Sequence, residues 1–240
     1  MNNINSYLCP FCSFSLPIMN IIGTDFPVIK EKKIVGGGER YGGCPNCLST
    51  DRDRLVFVYL KSVYKIFERN DCKILHIAPE FNLLRSLNDR FAASDYICGD
   101  LNPAYYNSGR KMIEKINILD IPYPDKYFDL VICNHVLEHI EEDILAMKEI
   151  FRVLKASGQA ILQTPISFDL DVTYENFEIV NEADRETAFG QKDHVRIYGN
   201  DYVTRLESVG FSVQKFNLYP DYDLFGLNNE ERLFVCNRND

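Results

Sequence analysis

From residue 73 onward the chain alternates short uninterrupted apolar runs with amphipathic segments, and that alternation leaves few folds open. The apolar runs are KILHIA, SDYICGD, a weaker MIEKINI, YFDLVIC and GQAILQT, then SVQKFNL and RLFVCN near the end. Between them, FNLLRSLNDRF, EEDILAMKEIFRVLKA and DYVTRLESVGF repeat their apolar residues at helical spacing. A strand that is apolar at every position is buried on both faces. The pattern therefore predicts an α/β domain whose mostly parallel sheet is covered by helices on both sides. The helix from residue 141 is expected to stop near Gly158, and LVFVYLKSVYKIF predicts another helix over 54–69. The stretch 165–199 shows no clear period, and an insertion of that length is expected to cover a site.

The first fifty residues follow a different logic. Cys9-Pro-Phe-Cys12 and Cys44-Pro-Asn-Cys47 are two Cys-x-x-Cys turns separated by 31 residues. Each turn aims two thiolates at one point, and two turns complete a tetrahedron. Proline after the first cysteine of each pair stiffens the knuckle by fixing φ. The intervening runs IMNIIG and PVIKEKKIV read as β-type, so residues 1–54 are expected to form a zinc ribbon ahead of a second domain over 55–240. Cys9, Cys12, Cys44 and Cys47 would be the ligands, with zinc preferred over iron, whose rubredoxin-type sites share this spacing. All four positions are filled, so the metal is expected to be structural. The competing reading is a pair of disulfides or a redox motif. The polar start MNNINS does not resemble an export signal, which points to a reducing cytoplasm and against disulfides. Cys72, Cys98, Cys133 and Cys236 lie among apolar neighbours and read as small core residues.

Charge narrows the partners. With 26 basic and 35 acidic side chains the net charge is −9, which repels phosphate backbones at long range. No run approaches the ~18 apolar residues that span a bilayer, so no membrane partner is expected.

In an open parallel sheet, ligands bind beyond the carboxyl ends of the strands. After the first strand come His76, Ile77, Ala78, Pro79 and Glu80; after the second comes Gly99-Asp100-Leu101. Asp100 lies 20 residues beyond Glu80, the separation at which an acid reaches the ribose hydroxyls of a bound nucleoside. The first turn has no Gly-x-Gly-x-x-Gly run, so a pyrophosphate fits poorly there and a phosphate-free nucleoside fits better.

The run ILDIPYPDKYFDLVICNHVLEHIEEDILAMKEIFRVLKASGQAILQTP closely resembles the central motifs of class I S-adenosylmethionine-dependent methyltransferases of the type-11-like kind. CPxCxSxxRxR, LHIAPE, NHVLEHI and DHVRxYG look like a bacterial subgroup with an N-terminal metal knuckle. The resemblance implies a Rossmann-like, doubly wound, seven-stranded sheet and S-adenosylmethionine as cofactor. It aligns the family's glycine-rich loop with residues 76–80, where His76 replaces the usual acid and Ala78 and Glu80 replace glycines. Cofactor contact would then fall to backbone groups around Ala78 and Pro79, with Glu80 free to reach the methionine ammonium. It also implies Asp100 at the ribose, Leu101 on the adenine face, and Asn117 with Ile118 at the adenine edge, Asp120 being a second candidate there. Asn134 and His135 would line the methionine and methyl end.

Methyl transfer from a sulfonium is an in-line displacement, so the protein's main task is positioning. Where a general base is needed, the candidates are His194, beside Asp193, and His135. Arg196 and Tyr198 are further substrate-binding candidates, while Glu138 and His139 read as the start of the following helix. Tyr174, Phe177 and Phe189 make the insertion aromatic enough to act as a lid. The acidic charge favours a small-molecule or carbohydrate acceptor. Two alternatives stand beside it. One is an RNA methyltransferase reading RNA through the ribbon, with Lys30, Lys32, Lys33, Arg40, Arg52 and Arg54 as a basic tint. The other is a non-catalytic module with a degenerate cofactor site.

Overall fold

The computed structural model describes residues 6–106 and 111–239; the start MNNIN lies outside the described residues. Seven strands form one sheet: β1 (Ile74–Ile77), β2 (Tyr96–Asp100), β3 (Ile113–Lys115), β4 (Phe128–Cys133), β5 (Leu154–Ile161), β6 (Ser212–Phe216) and β7 (Leu233–Asn237). Their order across the sheet is β6-β7-β5-β4-β1-β2-β3. Strands β1 to β5 pair in parallel, and β7 runs antiparallel to both neighbours. Strand order reverses between β1 and β4, so the crevice beyond their carboxyl ends is where a ligand belongs.

The helices that matter are α1 (Asp51–Val58), α2 (Phe81–Asn88), α3 (Asp143–Val153), α4 (Glu182–Phe189) and α5 (Tyr202–Glu207). In β4, Leu130 and Ile132 join a core cluster that includes Leu83, Leu84 and Leu87 of α2 and Leu55 of α1. The alternate residues Val131 and Cys133 join the opposite cluster with Met147 and Ile150 of α3 and Leu206 of α5. Both faces of β4 are therefore apolar because both are covered. Cys72, Cys98, Cys133 and Cys236 are all buried in this core.

Three local expectations are corrected. Helix α3 stops at Val153, and β5 starts at Leu154, whose pairing with Phe128 is separated from that of Gln159 by a register shift. Ser157 sits in that bulge at φ 60°, so KASG is a distorted strand and not a helix tail. Helix α1 starts at Asp51, earlier than expected, because Thr50 and Asp53 form a reciprocal capping box. It gives way to a wider helical turn at Tyr59–Val63, and Lys65 at φ 55° ends the run. In the first fifty residues, PVIKE is a short helix, not a strand.

The N-terminal segment is joined closely to the main sheet domain. Ile34–Val35 pairs antiparallel with Ile166–Ser167 of the insertion. Arg54 is wholly buried and donates to the carbonyls of Gly42, Ser49, Phe225 and Gly226. Helix α1 itself crosses the expected boundary at 54/55. The 165–199 insertion is ordered by small pieces: two-residue strands at 166–167, 174–175 and 196–197, and helix α4.

Candidate functional site

The two Cys-x-x-Cys turns fold alike. In each, the first cysteine's carbonyl accepts an amide from the turn, Ser13 or Leu48, and those two residues take left-handed φ of 58° and 61°. Cys9 and Cys47 sulfurs are 3.5 Å apart, Cys12 and Cys44 sulfurs 3.7 Å, and all four lie within 4.8 Å of one another. A zinc ion with bonds of ~2.3 Å holds its sulfurs ~3.8 Å apart, so this cluster matches a tetrahedral thiolate centre. The four cysteines are free of disulfides.

At the end of β1 the chain turns sharply. Ala78 adopts φ 48°, and its amide donates to the Gly99 carbonyl at 2.8 Å, tying this turn to β2. His76 is buried between Tyr96 Oη and Glu80 Oε2, each 2.8 Å from one ring nitrogen. Asn134 Nδ2 donates to Glu80 Oε1 at 2.9 Å. Glu80 is thus not the free carboxylate expected. Burial pushes its pKa up, but the bonds from His76 and Asn134 outweigh that and hold it below the ordinary carboxylate range. Asn134 Oδ1 is buried and lacks a partner.

Asp100 sits at the tip of β2, partly open. Its Oδ1 accepts from Asn102 N at 2.7 Å and its Oδ2 from Tyr106 Oη at 2.9 Å. Leu101 is exposed, and Ile118 is buried in the core. Asn117 and Asp120 are exposed on one turn, where Asn117 Oδ1 accepts from Leu119 N at 3.1 Å. The Ile116 amide donates to the Asp100 carbonyl, so Asp100 and this turn stand side by side. The structure therefore makes two groups of the expected residues: His76, Glu80 and Asn134 around the β1 turn, and Asp100 with Asn117 at the β2–β3 edge.

On the other side of the crevice lies a cavity of about 560 Å³. Its walls come from the N-terminal segment (Gly36 to Gly38, Arg40, Arg52), the turn after β4 (His135, Glu138, His139) and the insertion (Pro165 and residues 189–194). His135 is at φ 55°, with Nδ1 3.1 Å from Arg52 Nη1, which also donates to the Gly36 carbonyl. Burial and then the Arg52 charge push its pKa down. The same Nδ1 stands 3.5 Å from Glu138 Oε1, so it faces a donor on one side and an acceptor on the other. The ring's Nε2 is buried without a partner. His194 is buried as well, and burial pushes its pKa down to about 4. Asp193 does not orient it as its adjacency suggests. The Asp193 carbonyl lies 3.1 Å and its carboxylate 3.4 Å from His139 Nδ1 instead.

Arg196 and Tyr198 are both engaged by neighbouring groups. Arg196 is wholly buried and donates to the carbonyls of Leu137, Ile140 and Glu141 and to Glu175, locking the turn after β4. Tyr198 is buried and donates to Asp143 at 2.7 Å. Phe189 is buried in a small cluster beneath the insertion, while Tyr174 and Phe177 stay partly exposed. The residue that sequence reasoning undervalued is Glu138. It is 2% exposed, and although burial pushes its pKa up, the imidazoles of His135, His139 and His194 bring it down to about 2. Its signal was the HVLEH string itself, read only as a helix start.

Residues 69–162 match the family model described as a methyltransferase domain. They include β1 to β5 and the turns after β1, β2 and β4. This stretch resembles a methyltransferase domain. Among curated relatives, the chain is similar to an uncharacterized protein of Methanocaldococcus jannaschii, 29% identical over 120 residues, which is 46% of this chain and 48% of that protein. It is also similar to a ubiquinone/menaquinone biosynthesis C-methyltransferase of Xylella fastidiosa, 32% identical over 80 residues, 29% of this chain and 32% of that protein. The chain thus spans about half or less of the curated relatives it matches. Among solved structures, the CurJ carbon methyltransferase superposes with a TM-score of 0.51 at 11% identity, covering 80% of this chain and 56% of that one. At that identity the likeness shows the fold of the methyltransferase domain alone. No helix among the described residues is long and apolar enough to cross a membrane.

Proposed function

We propose that the chain is an S-adenosylmethionine-dependent methyltransferase whose acceptor is a small molecule or carbohydrate held in the 560 Å³ cavity. The observation that carries this reading is the placement of two facilities on either side of one crevice. Asp100 and the Ala78 turn stand beyond β2 and β1, and the cavity opens beside His135, directly after β4.

The cofactor fits the residues present. Asp100 offers a partly open carboxylate for a sugar diol, Ala78 opens the backbone without a bulky side chain, and Glu80 carries negative charge where a methionine ammonium belongs. When bound, S-adenosylmethionine supplies an electrophilic methyl group. The residues of this chain then act by positioning. His76 and Asn134 fix Glu80, while Tyr106 must yield Asp100 Oδ2 to a ribose hydroxyl. His135 presents its unpartnered Nε2, and a ring held at about 4 makes His194 a weak proton acceptor at neutral pH. The four-thiolate cluster fits zinc in a structural role, since every coordination position is filled.

RNA as acceptor is disfavoured by where the basic side chains go. Lys30 pairs with Asp25, Lys33 with Asp169 and Arg40 with Asp51, and Arg54 is wholly buried. Isothermal titration with S-adenosylmethionine and S-adenosylhomocysteine tests the cofactor. Binding of both by the wild type, weakened about tenfold or more in Asp100→Asn, supports the reading; no heat from either ligand leaves only the non-catalytic alternative. Tritiated methyl transfer into fractionated lysate then separates acceptors, and label in RNA instead of small metabolites or glycans overturns the small-molecule assignment.

A further inference from the structure

One cluster stands on the cavity wall beside the turn after β4. Glu138, His139 and His194 each present a ligand-type atom, and these atoms lie within 4.8 Å of one another. Glu138 and His139 are adjacent on the turn after β4, and His194 arrives from the insertion. All three line the cavity.

Their surroundings have the form of a supported metal site. His139 Nδ1 is engaged by the Asp193 carbonyl at 3.1 Å, which leaves Nε2 as the ring's other nitrogen. Thr164 Oγ1 donates to Glu138 Oε2 at 3.1 Å and fixes the carboxylate. The His139 and His194 rings meet edge-on, 4.7 Å between centroids at 81°. Metal-bound imidazoles and carboxylates are held by outer hydrogen bonds of this kind. Arg196, the buried guanidinium of the insertion, is turned to the carbonyls of Leu137, Ile140 and Glu141 and paired with Glu175.

We propose that Glu138, His139 and His194 bind a divalent transition-metal ion of the zinc, iron, cobalt and manganese class, with its remaining coordination positions open to the cavity. Two imidazoles and one carboxylate make a three-point set that suits such ions and differs from the four-thiolate cluster, where no position is open. The open positions take water or an oxygen donor of whatever occupies the cavity. Only that last point rests on the proposed function; ion binding does not.

Cobalt tests this directly. The full chain, with its cysteine cluster loaded with zinc, is titrated with Co²⁺ and followed by absorption. The expected result is one added equivalent with the spectrum of a nitrogen- and oxygen-ligated ion and no thiolate-to-cobalt charge-transfer band. Glu138→Gln, His139→Gln and His194→Gln should each weaken it about tenfold or more while zinc content stays unchanged. His139 is only half-buried, so its variant remains informative even where the buried positions fail to fold. The proposal is overturned if the wild type takes up no added cobalt, if His139→Gln binds it as tightly as the wild type, or if the new absorption carries thiolate character. Calorimetry with S-adenosylmethionine on the same samples reports on the proposed function separately, because the Asp100 side is untouched by these variants.

Discussion

Single carboxylates in this chain occupy very different environments. Glu231 is buried with Oε1 accepting from Gln163 at 3.0 Å and Oε2 without a partner. Burial, then the Asp51 charge, raise its pKa from 4.5 to about 7. A carboxyl raised in the folded state keeps its proton where the unfolded chain has already lost it. Its contribution is therefore fully present below pH 4.5 and is lost as pH rises toward 7, a difference of about 3 kcal/mol. Glu231→Gln should flatten that part of the profile, so urea unfolding at pH 5 and pH 7.5 should show the variant gaining on the wild type as pH rises. An unchanged difference between the two pH values would refute it. Tyr106 gives a second residue-scale test. Its hydroxyl occupies Asp100 Oδ2, so Tyr106→Phe is expected to tighten S-adenosylmethionine binding by about two- to tenfold in calorimetry. Asp100 was legible because its place at the tip of a buried strand follows from a run of apolar residues. Glu138 with His194 was not, since 55 intervening residues must fold before the two meet and neither lies in a periodic segment.

Elements were readable in proportion to their burial. β1 and β4 announce themselves because every residue but one is buried, and α3 because Ala146, Met147, Ile150 and Val153 form one apolar stripe. The insertion was opaque because its strands are two residues long, too short for any period, and are held by partners distant in the chain. PVIKE misled for the same reason: five residues with two β-branched side chains look like a strand, while the proline at the helix start favours the helix. Gly190 ends α4 at φ 82°, where an added Cβ would stand 2.7 Å from Ile29 Cγ1. Gly190→Ala should therefore cost about 1–3 kcal/mol, read as a lower Tm, through both strain and the clash beside the cavity.

At the scale of the whole molecule, the four-cysteine cluster and the cavity belong to one mechanical unit. The segment between the two cysteine pairs carries Ile34–Val35, which pairs with Ile166–Ser167, and Ser167 Oγ donates to the Lys32 carbonyl. Stripping the metal proposed for the cysteine cluster with a strong chelator is thus expected to cost hydrogen-exchange protection in residues 34–43 and also at 166–167, far along the chain. Protection at 166–167 that survives chelation would show the two parts to be independent.

That shared wall has a consequence for specificity. The stretch matched by the methyltransferase family ends at residue 162, whereas Arg52 comes before it and Pro165 and residues 189–194 come after it. A protein trimmed to the matched stretch would retain the Asp100 edge and forfeit most of the enclosure. Under the proposed function, the acceptor would then be chosen by segments that lie outside the matched stretch, and the cofactor edge supplied by residues within it.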